Sequence, residues 1–115
     1  MTVSDVTCST VAAQKSLNVV ITGTAAGQAL QLSLLVKPVQ GVGGYNMTKG
    51  SGIGGLTITD LTPPGGNWGQ GTEFSHVNLN TPNGSNGTFD VWGDRPGASP
   101  VELSGAWNCN LVVQY

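Results

Sequence analysis

Apolar residues recur at every second position through much of this chain, and almost nowhere at the spacing of a helix. In "SLNVVITG" Leu17, Val19 and Ile21 share one face, with Asn18, Val20 and Thr22 on the other. In "ALQLSLLVKP" the shared set is Leu30, Leu32, Leu34 and Val36. Period two is the repeat of a half-buried strand. The same parity predicts strands in "SDVTCST" (Val6 and Cys8 inward), "GLTITDL" (Leu56, Ile58), "TEFSHVNLN" (Val77, Leu79) and "GTFDVW" (Phe89, Val91). In "TEFSHVNLN" Phe74 falls out of phase, which marks a bulge. The longest run starts at Val101 and keeps one parity through Leu103, Gly105, Trp107, Cys109, Leu111, Val113 and Tyr115. It predicts a single terminal strand whose odd residues all face the core.

Gly, Pro and Asn punctuate these runs, and the segments between them ("GVGGYNMTKGSGIGG", "TPPGGNWGQGT", "NTPNGSNGT", "GDRPGASP") are too polar or too rich in Gly to pack as core. They read as surface loops. Short alternating strands joined by such turns indicate an all-β protein, an antiparallel sandwich of immunoglobulin-like or jelly-roll-like type. At 115 residues the chain, 1–115, is expected to be one domain.

The two cysteines sharpen this expectation. Cys8 and Cys109 both fall on inward positions, in the first and last predicted strands. A disulfide between them would restrict the unfolded chain by up to about 4.7 kcal/mol for a loop near a hundred residues. Two buried free thiols are the alternative. So wide a spacing excludes a CxxC redox or zinc motif.

Composition narrows the class. Only 9% of residues are charged and Gly reaches 18, so solubility rests on hydroxyl and amide groups. The four cations, Lys15, Lys37, Lys49 and Arg95, are scattered singly in a chain of net charge -2, which argues against nucleic acid as a partner. No stretch approaches the length of a spanning helix. The opening residues lack a basic and then apolar leader, and the composition favours the mature form of an exported protein, secreted or held at the cell surface.

Chemistry-bearing residues are sparse. Gly50, Gly52 and Gly55 match a dinucleotide fingerprint in spacing, but a strand and two prolines follow them where the fingerprint needs a helix. His76 is the single histidine and lies in a strand, away from any nucleophile elbow. Six carboxylates (Asp5, Asp60, Glu73, Asp90, Asp94, Glu102) could supply a glycosidase pair only if folding brings two together. Asp90 and Asp94 could join loop carbonyls around calcium, although an Asp before Arg-Pro-Gly is also an ordinary turn opener. No metal site and no cofactor is expected. Asn46, Asn83 and Asn86 stand in glycosylation sequons, and the last two also read as Asn-Gly turns.

The aromatic residues are the more suggestive group. Trp68 and Tyr45 sit in Gly-rich segments and Trp92 takes outward parity beside Val91. Rings exposed beside amides such as Asn67 and Gln70 are what a sugar-binding face uses, because pyranose C–H faces stack on rings while amides hold hydroxyls. Trp68 could instead fold back as a lid over one end of the core.

An early "VTCST", then "LNVVITGTAAG", a Gly-rich middle and a closing "GAWNC" together resemble the mycobacterial surface lipoprotein antigens. That resemblance implies an exported β-rich sandwich closed by a disulfide between its first and last segments, with Cys8 and Cys109 as the pair. It also implies a non-enzymatic envelope protein, lipid-anchored through a segment outside this sequence. The expected function is a non-catalytic surface or interaction domain, with another protein or a surface glycan as partner. The alternatives are a carbohydrate-binding module using Tyr45, Trp68 and Trp92, and a subunit of an extracellular filament or shell.

Overall fold

A computed structural model describes residues 1–62 and 65–115. The chain is almost entirely β-structure. The strands are β1 (Thr2–Val11), β2 (Ser16–Ala25), β3 (Gln28–Val36), β4 (Gly43–Asn46), β5 (Gly55–Asp60), β6 (Gly66–Gln70), β7 (His76–Leu79), β8 (Asn86–Asp94), β9 (Val101–Asn108) and β10 (Val112–Gln114). One turn of 3-10 helix, Ala12–Gln14, joins β1 to β2. Pro63 and Pro64, in the segment expected to be a loop before Trp68, lie outside the described residues.

The strands follow the path β10-β1-β2-β3-β5-β6-β8-β7-β4, with β9 on the far side of β8. β6 carries the path from one half to the other. Its residues Gly66, Asn67 and Trp68 pair with β5, whereas Gly69 and Gln70 pair with Gly93 and Asp94 of β8. All neighbours are antiparallel except β10, which runs parallel to β1.

The β2–β3 hairpin supplies the middle of the core. Leu17↔Val36, Val19↔Leu34 and Ile21↔Leu32 are cross-strand pairs with every member buried. Each such side chain contributes roughly 1.5–3 kcal/mol by leaving water, an upper figure because the unfolded chain already hides some of this surface. The hairpin turns on Ala26 and Gly27, both at positive φ (51° and 78°), as a two-residue turn matched to strand twist requires. The pleat then projects Val77, Leu79, Phe89, Val91, Leu103 and Trp107 into the same core.

The disulfide is present. Cys8 in β1 is bonded to Cys109, directly after β9, with their Cα atoms 6.0 Å apart. Beside it Trp107 lies over Gly87, its cross-strand neighbour, where a Cβ would collide with the indole. The indole Nε1 donates to Gly84 O at 2.9 Å, and the ring stacks near Phe89 with centroids 6.5 Å apart.

Three expectations need correction. The run from Val101 to Tyr115 is two strands, because the chain leaves β8 at the bridge and joins the outer edge of β1. Parity therefore does not carry across Cys109. Leu103 and Trp107 are buried, but Leu111, Val113 and Tyr115 are 72%, 38% and 77% exposed. The segments expected as loops around Tyr45 and Trp68 contain β4 and β6, whose backbones are recruited by β7, β5 and β8. Phe74 is not a bulge inside a strand; it precedes β7 and is exposed.

Replacing Cys8 and Cys109 together by Ala is expected to cost about 2–5 kcal/mol, the usual range for a native bridge in a small domain. Urea unfolding of the variant against the oxidised protein measures it. A difference under about 1 kcal/mol would mean that the edges are held without the bridge.

Candidate functional site

Position along the pleat decides which polar side chains meet on the outside. In β7 His76 and Asn78 alternate with buried Val77 and Leu79; in β8 Asn86, Thr88, Asp90 and Trp92 alternate with Gly87, Phe89 and Val91; in β9 Glu102, Ser104, Ala106 and Asn108 alternate with Leu103 and Trp107. Register then aligns them across the strands. His76 stands opposite Asp90, Asp90 opposite Ser104, and Trp92 opposite Glu102. Directly opposed side chains in a sheet lie about 5 Å apart at Cβ, so these residues form one cluster.

Phe74 and Trp92 lie at one end of it. Phe74 is 66% exposed, and its ring centroid is 5.5 Å from that of His76. Trp92 is half-buried on the outward face. Its backbone is held on the side away from β9 by the segment leading to β7, with Trp92 N donating to Ser75 Oγ at 2.9 Å and Trp92 O accepting from Gly71 N at 3.1 Å. Beside the rings Glu102 and Asp90 are diagonal neighbours across β8 and β9. Hydrogen bonding to Asp90 first, then slight desolvation and repulsion from the Asp90 charge, raise the Glu102 carboxyl above its ordinary value. Shielded side-chain atoms that make no hydrogen bond among the described residues also gather here. Glu73 Oε2, His76 Nδ1, Asp90 Oδ1 and Asp94 Oδ1 all lie on or beside β7 and β8. Such unpaired atoms cost free energy.

The residues singled out from sequence divide sharply. Trp92 belongs to the cluster. Tyr45 is buried in β4, its hydroxyl accepting from Gln40 N at 2.7 Å and donating to Gly41 O at 2.6 Å. Trp68 is buried in β6 under the Arg95 guanidinium, which lies 4.4 Å from the ring centroid. The expectation of exposed rings at Tyr45 and Trp68 is thus corrected, since pairing of their strands turns both inward. Gln70 is half-buried and donates from Nε2 to Met47 O at 2.6 Å, a structural tie. Asn67 is exposed on β6, opposite Thr59 of β5 rather than in the cluster.

Other candidates resolve in the same way. Asp90 and Asp94 are four positions apart on one strand, about 13 Å, too far to converge on one cation. Asp94 instead accepts from Thr72 N at 3.3 Å. Asn46 and Asn83 accept from backbone N–H groups two residues on, and Asn86 accepts from Asn80 Nδ2 at 2.8 Å. Gly50 and Gly52 lie in turns ahead of β5, with positive φ and no helix after them.

Phe74, His76, Asp90 and Glu102 were not recognisable as partners from sequence. Outward parity was readable for His76, Asp90 and Glu102. Register, the quantity that brings them together, was not. Comparison with protein-family models, with curated proteins and with solved structures finds no match for this chain.

The carboxyl pair predicts a pH dependence. Glu102 binds its proton more tightly folded than unfolded, so the folded state loses stability as pH rises from the ordinary value of 4.5 through the raised one. Glu102→Gln removes that loss. The variant should melt higher than the parent at pH 7, the gap closing by pH 3 and shrinking in high salt. Equal melting temperatures at pH 7 would show that the two carboxyls do not interact in solution.

Proposed function

We propose that the chain is an exported, disulfide-closed β-sandwich that acts without catalysis, as a surface domain binding glycan on the outward face of β7, β8 and β9. The observation that carries this reading is the gathering of Trp92 and Phe74 with Asp90, Glu102 and His76 on one outward face. Rings offer stacking surfaces to sugar C–H faces, and the carboxylates and imidazole beside them accept and donate to hydroxyls. Such hydrogen bonds to charged groups contribute about 1.5–3 kcal/mol each.

Binding is favoured over hydrolysis because the cluster lies on an open strand face, with nothing among the described residues to exclude solvent from a reacting bond. The disulfide suits an oxidising compartment, and among the described residues no helix is long and apolar enough to cross a membrane. The resemblance to mycobacterial surface antigens leads to the same placement outside the cell.

Trp92 is the one tryptophan of the three that is not buried, so quenching of tryptophan emission by soluble glycans reports on this face. Trp92→Ala should abolish binding while leaving the melting temperature within a few degrees. Trp68→Ala should cost roughly 3–5 kcal/mol of stability and leave affinity unchanged under folding conditions. Binding that survives Trp92→Ala would refute the site.

A second reading, self-assembly into a filament or shell, is favoured by the exposed stripe of Leu111, Val113 and Tyr115 along β10, an edge strand. It predicts light scattering that rises with concentration and disappears in Leu111→Lys with Val113→Lys. A monomer at every concentration would exclude it.

A further inference from the structure

β8 and β9 continue past the aromatic cluster, and their outward residues do not stop being polar. From the Trp92↔Glu102 pair the face runs through Asp90↔Ser104 and Thr88↔Ala106 to Asn86↔Asn108. That is six residue steps along β8, about 20 Å at 3.4 Å per residue. The middle is low, made by the small exposed side chains of Thr88, Ser104 and Ala106. The far end deepens into a cleft of about 450 Å³ where β9 and β1 part, lined among others by Asp5, Asn80, Asn86, Asn108 and Asn110.

Two contacts join β1 to the β9 segment near the cleft: Cys8 is bonded to Cys109, and the Met1 amino group donates to Ser104 O at 2.9 Å. Asn108 and Asn110 are both exposed at its mouth, and each amide carries two donors and an acceptor. The aromatic cluster and the amide cleft are thus the two ends of one trough, with a flat floor between.

We infer that the ligand is a linear, uncharged oligosaccharide lying along β8 and β9, with one end stacked at Trp92 and the other hydrogen-bonded in the asparagine cleft; this rests on the glycan-binding reading above. Length points to a chain rather than a single sugar, because one ring cannot reach both ends of a 20 Å trough. Amides at the far end match hydroxyl groups, which both donate and accept. Charge selects against acidic glycans. The trough carries Asp5, Asp90 and Glu102, while Arg95 lies against Trp68, Lys15 and Lys37 lie in connecting segments, and Lys49 lies beyond Gly71, whose carbonyl its backbone N–H reaches. A uronate or sulfate would meet like charge along the trough.

Calorimetric titration of the intact oxidised protein tests this with β-linked gluco-oligosaccharides and N-acetylglucosamine oligomers of two, four and six units, and with an oligo-uronate as the acidic control. Affinity for the preferred neutral series is expected to rise at least tenfold from the disaccharide to the hexasaccharide, with the oligo-uronate weaker than either. Asn108→Ala with Asn110→Ala, both away from the core, should abolish that gain while leaving disaccharide affinity unchanged. Trp92→Ala should abolish both. A hexasaccharide that binds no tighter than a disaccharide, or a double variant that keeps the full gain, overturns the extended trough and leaves the aromatic site standing. Absence of binding across every neutral series overturns both readings.

Discussion

The cleft beside β9 and the exposed C-terminal stripe depend on how β1 is held against the end of β9. These strands come from opposite ends of the chain and do not form a ladder with each other. The Cys8–Cys109 bond and the Met1 to Ser104 contact hold them instead. Because neither contact is a ladder, the strands can part between them, and a cleft opens where a fully paired sheet would have a seam. The same bridge ends β9 and sends the last residues to the outer edge of β1, which places Leu111, Val113 and Tyr115 on the surface.

Low charge gives the surface its second constraint. With ionic groups at 9% of residues, the few that meet are conspicuous. Two of the six carboxylates, Asp90 and Glu102, are diagonal neighbours with a histidine opposite one of them. The Glu102 carboxyl is raised by its nearness to Asp90, which works against the folded state as pH rises. Arrangements that cost stability persist where binding uses them, and two aromatic residues beside this one suggest the use. The same poverty of charge leaves amides and hydroxyls to make the remaining polar surface, and these are the groups that pair with sugars.

Strands with clean alternation were legible from sequence because their burial is one-sided. β2, β3, β5 and β8 can be read from Leu17–Ile21, Leu30–Val36, Leu56–Ile58 and Phe89–Val91 with small errors at the ends. β4 and β6 could not. Each is a short Gly-rich segment with one buried aromatic, Tyr45 or Trp68, and no repeat to detect. Both are strands because neighbours offer unpaired backbone to them, an interaction between segments distant in sequence. Pairing of these two strands turns Tyr45 inward and Trp68 inward, the latter in line with its reading as a lid over the core, while Trp92 keeps the outward parity of its alternating strand.

Local pattern was therefore sufficient for the all-β class, for the inward parity of Cys8 and Cys109, and for the outward parity of His76, Asp90, Trp92 and Glu102. These follow from the two-residue pleat and the cost of burying polar groups, both local properties of the chain. Which outward residues become neighbours was decided by register across β7, β8 and β9. Where the last strand turns was decided by the bridge. Register and closure depend on contacts between residues far apart in sequence, and only the folded molecule contains those contacts.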